Sequence, residues 1–67
     1  MNTYTVENAE ALMESSSGKA LLVAAPDFDD PQWIPHSQIH EDSEVYKVGT
    51  DGNLLVNNWF AEKKGWV

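Results

Sequence analysis

Apolar residues fall in a few short runs along the chain, each closed by a residue that disfavours its continuation. The longest is Lys19-Ala-Leu-Leu-Val-Ala-Ala25, stopped by Pro26. A run this short suits a strand buried on both faces better than a helix, and it is read as the central strand. Ser15-Ser-Ser-Gly18 just upstream is a turn signal, because serine and glycine tolerate tight backbone geometry. The segment before it, Thr5 to Glu14, is ambiguous. Val6, Ala9 and Met13 have helical spacing among good helix formers, yet the segment is also placed to be a hairpin partner of the central strand. The hairpin is the favoured reading, with the helix as its alternative.

Further on, Asp27-Phe-Asp-Asp-Pro31 is a turn-rich link, and Gln32-Trp33-Ile34 reads as a short strand ended by Pro35. Proline cannot donate to a ladder, so this strand is expected to sit at an edge or to stop there. Glu44-Val-Tyr-Lys-Val48 alternates polar and apolar residues and predicts a half-buried strand. Gly49-Thr-Asp-Gly52 supplies an Asp-Gly hairpin signal, and Asn53-Leu-Leu-Val56 is the returning strand. The last segment is helical. Asn57 or Asn58 can cap it, Trp59, Phe60 and Lys63 fall near one face, Lys63 and Lys64 suit the negative end of the macrodipole, and Gly65 can close it in a left-handed conformation. Trp66 beyond that glycine is placed to fold back onto the apolar face. The expected fold is α+β and mostly β: a small curled antiparallel sheet, or an SH3-like or OB-like barrel, of four to five strands with a short C-terminal helix.

Composition narrows the picture. The 67 residues leave room for one domain, residues 1–67, in which only about 60% of the unfolded surface can be buried. No apolar run approaches the ~20 residues of a membrane span, and Met1-Asn2-Thr3-Tyr4 lacks a signal-peptide pattern. With no cysteine, disulfides, thiolate catalysis and thiolate metal sites are excluded, and a cytoplasmic setting is expected. Catalysis has little to stand on. The four glycines form no phosphate-cradling motif and Ser15 to Ser17 lack a nucleophile elbow, so the chain is read as a non-enzyme without cofactor. His36 and His40, four apart, would hold zinc from one face of a helix with Glu41 or Asp42 as third ligand, but Ser37 stands where an HExxH glutamate belongs, and two surface histidines on a loop are the favoured reading. Asp27, Asp29 and Asp30 offer oxygen ligands, but Gln32 takes the place of the glycine an EF-hand loop requires. No metal site is expected.

Charge changes the picture most. The net charge is −7, and the segment 26–44 alone carries six acids (Asp27, Asp29, Asp30, Glu41, Asp42 and Glu44) and no lysine. Crowding of like charge opposes folding, so the cluster invites a functional reading beside the plain one of a solvated surface. With no arginine and only Lys63 and Lys64 adjacent, direct nucleic-acid binding is not expected. Asp27 with Asp29, and Asp42 with Glu44, are two apart, so in extended backbone each pair faces one side at a rise of ~3.3 Å per residue, near the ~3.4 Å spacing of phosphates along one DNA strand. A surface of this kind suits a protein partner with a basic nucleic-acid-binding channel. Trp33 is either a core residue or an aromatic anchor at the edge of that surface.

Trp33-Ile-Pro-His-Ser-Gln-Ile39, then Asp42-Ser-Glu-Val45, then Asn58-Trp-Phe-Ala-Glu-Lys-Lys-Gly65 resemble a set of small phage and prophage proteins with a WIPxSQI stretch and a W-x-A-E-K-K-G terminus. Lys19-Ala-Leu-Leu-Val23 resembles the strand that precedes that stretch, while the acidic turn from Pro26 to Pro31 departs from the pattern. A short acidic protein of such origin is also similar to the anti-CRISPR proteins, the type I-C inhibitors among them. What the resemblance implies is an inhibitor that binds the surveillance complex, at its large subunit, and keeps target DNA from docking; a monomer in the host cell cytoplasm is expected beside it. The alternative is a phage accessory protein of barrel fold that contacts a replication, recombination or host protein without imitating DNA.

Overall fold

The computed structural model describes residues 2–67. Its elements run β1 (Thr3–Glu14), β2 (Ala20–Ala24), β3 (Gln32–Pro35), a 3-10 turn (His36–Gln38), β4 (Asp51–Asn57) and α1 (Asn58–Lys64). The four strands form one antiparallel sheet in the order β3-β2-β1-β4, curled into a half-barrel. The expected small curled antiparallel sheet with a short C-terminal helix is what the chain forms. No helix of the described residues is long and apolar enough to cross a membrane.

The curl originates in β1. It pairs with β4 from Thr3 opposite Asn57 to Glu10 opposite Asp51, and with β2 from Glu10 opposite Ala24 to Glu14 opposite Leu21. The register shifts once within each pairing, between Val6 and Ala9 against β4 and between Ala11 and Met13 against β2. Asn8 in the first irregularity has φ 57°, a left-handed conformation that asparagine tolerates better than most residues. Such bulges bend a strand and increase its twist, so one long strand serves two partners. Thr5 to Glu14 is therefore strand and not helix, turned into β2 by Ser15 to Gly18 with the Ser15 N–H donating to the Ala20 carbonyl at 2.9 Å.

The concave side holds the core, with Val6, Leu21, Val23, Ile34, Val45, Leu54 and Val56 its largest fully buried side chains. β2 is central in the order, but it is buried on one face only: Leu21 and Val23 are enclosed, while Ala20, Leu22 and Ala24 on the other face are partly exposed. β3 is the edge strand that Pro35 foretold. At the far end, Gly65 adopts φ 79° after α1, and the Trp66 N–H donates back to the Ala61 carbonyl at 2.9 Å. This reversal lays the Trp66 ring against Phe28 at 4.7 Å and Phe60 at 5.7 Å between centroids, and the Tyr4 hydroxyl donates to the Trp66 carbonyl at 3.3 Å. Phe60 and Ala61 form the inner side of α1, whereas Trp59 lies outside it with Lys63 over its ring at 4.8 Å.

Two expectations fail between residues 44 and 56. Glu44 to Val48 is not a strand, and Asp51-Gly52 is not a hairpin turn but the start of β4, opposite Glu10 and Ala9 of β1. Side-chain hydroxyls take the backbone donors a ladder would use. The Val45 N–H donates to the Ser43 hydroxyl, and the Tyr46 N–H to that of Thr50. Local bonds of this kind compete with extended pairing. Val45 alone reaches the core, and Tyr46 and Val48 stay exposed.

Residues 39–44 instead form a strap along the outer edge of β4. Ile39 bridges Val56, the His40 N–H donates to the Leu55 carbonyl at 2.8 Å, and the Glu44 N–H donates to the Asn53 carbonyl at 3.0 Å. Glu44 also accepts the Asn53 N–H at 2.7 Å through its carboxylate. The strap covers an edge that would otherwise pair with other chains. Gly52 lets it close: its φ is 124°, and a Cβ there would run into the Glu44 side chain. Gly52→Ala is expected to lower stability by about 1–3 kcal/mol, read as a fall in the urea midpoint. An unchanged midpoint would show that the strap tolerates a side chain there.

Candidate partner-binding surface

The six carboxylates of the acidic segment sit on two separate pieces of backbone. Asp27, Asp29 and Asp30 lie in the loop between β2 and β3, whose Phe28 turns inward to Trp66 and leaves the flanking aspartates exposed. A backbone turn from the Ala25 carbonyl to the Phe28 N–H at 3.0 Å, and a Gln32 side-chain bond to the Asp30 carbonyl at 3.0 Å, hold the loop's shape. Glu41, Asp42 and Glu44 lie on the strap and are exposed as well. In the sheet order, β1 stands between the strand the strap follows and the strands the loop joins. No hydrogen bond or ion pair among the described residues joins the two triplets.

The expected spacing of paired carboxylates on extended backbone is not found. Asp27, Asp29 and Asp30 occupy turns and bends, and so do Asp42 and Glu44, so neither pair presents the regular two-residue repeat of a strand. The match to phosphate spacing therefore falls away, because proline at 26 and 31 and the serine-anchored strap bend the chain where extension was required. What persists is the exposure of all six. Among the described residues no lysine lies within ion-pairing distance of any of the six acids, and a histidine lies that close to one of them only, His40 Nδ1 at 3.7 Å from the Asp42 carboxylate. Lys47 and Lys63 instead lie over the rings of Tyr46 and Trp59.

Trp33 is not a core residue. It is 46% exposed on the outer side of β3, while its neighbour Ile34 is fully buried. The histidines do not share a helical face either. His36 lies in the 3-10 turn with Nε2 at 3.1 Å from the Glu14 carboxylate, and His40 Nδ1 accepts the Asp42 N–H at 3.0 Å. Among the described residues, no three histidine, aspartate or glutamate side chains gather as metal ligands would.

Sequence reasoning missed two sets of residues. Ser43, nearly buried, is the joint of the strap: its hydroxyl donates to the Val45 carbonyl at 2.8 Å and accepts the Leu55 and Val45 N–H groups at 3.0 and 3.2 Å. Met13 and Leu22 belong to the same outer face as Trp33, and only the strand register reveals it. Set against protein-family models, curated proteins and solved structures, the chain matches none.

Proposed function

We propose that this chain is a non-enzymatic binding protein whose exposed carboxylates engage the basic nucleic-acid-binding surface of a protein partner. Its resemblance to small phage proteins and anti-CRISPR proteins makes that partner a CRISPR surveillance complex of type I-C, contacted at its large subunit, with target DNA kept from docking. The observation that carries the reading is exposure without a lysine partner: the six acids within the segment 26–44 all face solvent, with no lysine beside them and a histidine near Asp42 alone. An exposed field of one sign steers association with a surface of the opposite sign and weakens with salt.

The test reverses Asp27, Asp29 and Asp30 together to lysine, and Glu41, Asp42 and Glu44 together to lysine in a second variant. Binding to the purified surveillance complex is expected to weaken by about tenfold or more for whichever triplet faces the partner. The loop variant should keep its thermal stability, since exposed charges away from packed contacts change it by only about 0.5 kcal/mol. Wild-type inhibition of DNA docking by both variants would overturn the reading. A second reading, an accessory protein that binds without imitating DNA, is favoured by the turn geometry of both triplets. Competition separates the two: duplex DNA displaces the chain from its partner under the first and leaves the complex intact under the second.

A further inference from the structure

The second irregularity of β1 has a consequence on the convex side of the sheet. Ala11 is buried opposite the buried Val23. Without a shift, Met13, two residues on, would face the core as well. Leu12 is instead the extra residue, and Met13 comes out opposite Leu22, which is in turn opposite Trp33. Directly opposed residues of antiparallel strands share a face. Met13, Leu22 and Trp33 therefore form one apolar row across three strands, with Met13 51% and Trp33 46% exposed. The next row along, Ala20 opposite Pro35, extends it.

The surroundings of the row are acidic. Glu10 stands on the same face opposite Ala24, and Asp29 and Asp30 lie in the loop that enters β3. Against these three carboxylates stands Lys19 at the hairpin end. A second copy of the chain would bring these acids against their own kind in a molecule of net charge −7. A partner presenting lysine or arginine around an aliphatic contact would satisfy both the row and its rim. An apolar centre with a polar rim is the usual anatomy of a protein interface, and tryptophan is enriched where binding energy concentrates.

We propose that the row Met13–Leu22–Trp33 is the apolar centre of a docking surface for a basic protein segment, with Glu10, Asp29 and Asp30 as its rim. The inference rests on the reading of a basic protein partner given above, and it adds where that partner is gripped.

The test uses the full chain, isotope-labelled, and two synthetic peptides of equal charge, one alternating lysine with leucine and one alternating lysine with serine. The lysine–leucine peptide is expected to shift the Met13 methyl and Trp33 indole signals, and to bind about tenfold more weakly to Trp33→Ser and to Met13→Ser. The lysine–serine peptide is expected to perturb the acidic segments alone. Unchanged affinity in both serine variants, with thermal melting confirming their fold, would overturn the proposal. So would sedimentation showing a wild-type dimer that Trp33→Ser dissociates. Triplet reversal and the serine variants also separate the two ideas on the surveillance complex itself. Loss of binding on reversal alone removes the row and keeps the acidic reading, whereas loss on Trp33→Ser and on reversal of Asp27, Asp29 and Asp30, with reversal of Glu41, Asp42 and Glu44 harmless, keeps the row and confines the acidic contact to its rim.

Discussion

Ser43→Ala is expected to destabilise the chain by about 2–4 kcal/mol, because it strands the Leu55 and Val45 N–H groups at once and an unsatisfied buried donor costs about 1–3 kcal/mol. One hydroxyl serves both as acceptor and gives its own proton to the Val45 carbonyl. Alanine fills nearly the same space, so the loss is one of hydrogen bonding and not of packing. Urea unfolding measures the free energy, and amide exchange at Leu55 locates it. Fast exchange at Leu55 with slow exchange at Leu54 would mark a strap that lifts while the sheet stays formed. A loss below about 1 kcal/mol would mean that the strap is held by its other bonds, chiefly those from His40 and Glu44.

Leu21→Ala is expected to have the largest effect of any single truncation, about 2–5 kcal/mol. Leu21 is fully buried in the central strand, opposite Glu14 on one side and the equally buried Ile34 on the other. A domain of this length has a total stability of only about 3–10 kcal/mol. The variant is thus expected to be largely unfolded at 37 °C by circular dichroism. Retention of a cooperative transition within a few degrees of wild type would show that the half-barrel collapses around the gap.

Much of this fold is legible in the residues. The apolar run at Lys19 to Ala25, the serine turn before it and the proline after it place β2 and make β1 its hairpin partner. Pro35 marks an edge strand, and Gly65 with Trp66 marks a helix end that folds back. These features are local, and local chemistry decides them. Asp51-Gly52 is a strong local turn signal that a distant partner overrides: β1 offers a bulge opposite it, and the pairing energy of a whole strand outweighs one dipeptide preference. The alternation from Glu44 to Val48 misleads for a related reason, since the hydroxyls of Ser43 and Thr50 intercept the donors a strand needs.

The surface divides in the same way. The concentration of acids between Asp27 and Glu44 is visible by counting, and their exposure follows from their chemistry. Their backbone geometry does not, because extended and turned segments of the same composition differ only by what anchors them. The row of Met13, Leu22 and Trp33 depends on a one-residue register shift at Leu12, and no pattern in the chain announces it. In the helical reading of Thr5 to Glu14, Met13 shares a stripe with Val6 and Ala9; in the sheet, it leaves both of them in the core and faces outward.

Thr3 finds its partner at Asn57, so the opening half of β1 has nothing to pair with until the last strand exists. On the ribosome, at roughly 5–20 residues per second, those positions wait seconds for β4 to emerge. The entropy of closing so long a loop must be met before the pairing gives anything back, which places folding in the slow, millisecond-to-second regime of high contact order. A nascent chain halted before residue 51 would hold only the β1–β2–β3 meander, with Tyr4 and Val6 bare and a raw strand edge open to chaperones or to other nascent chains.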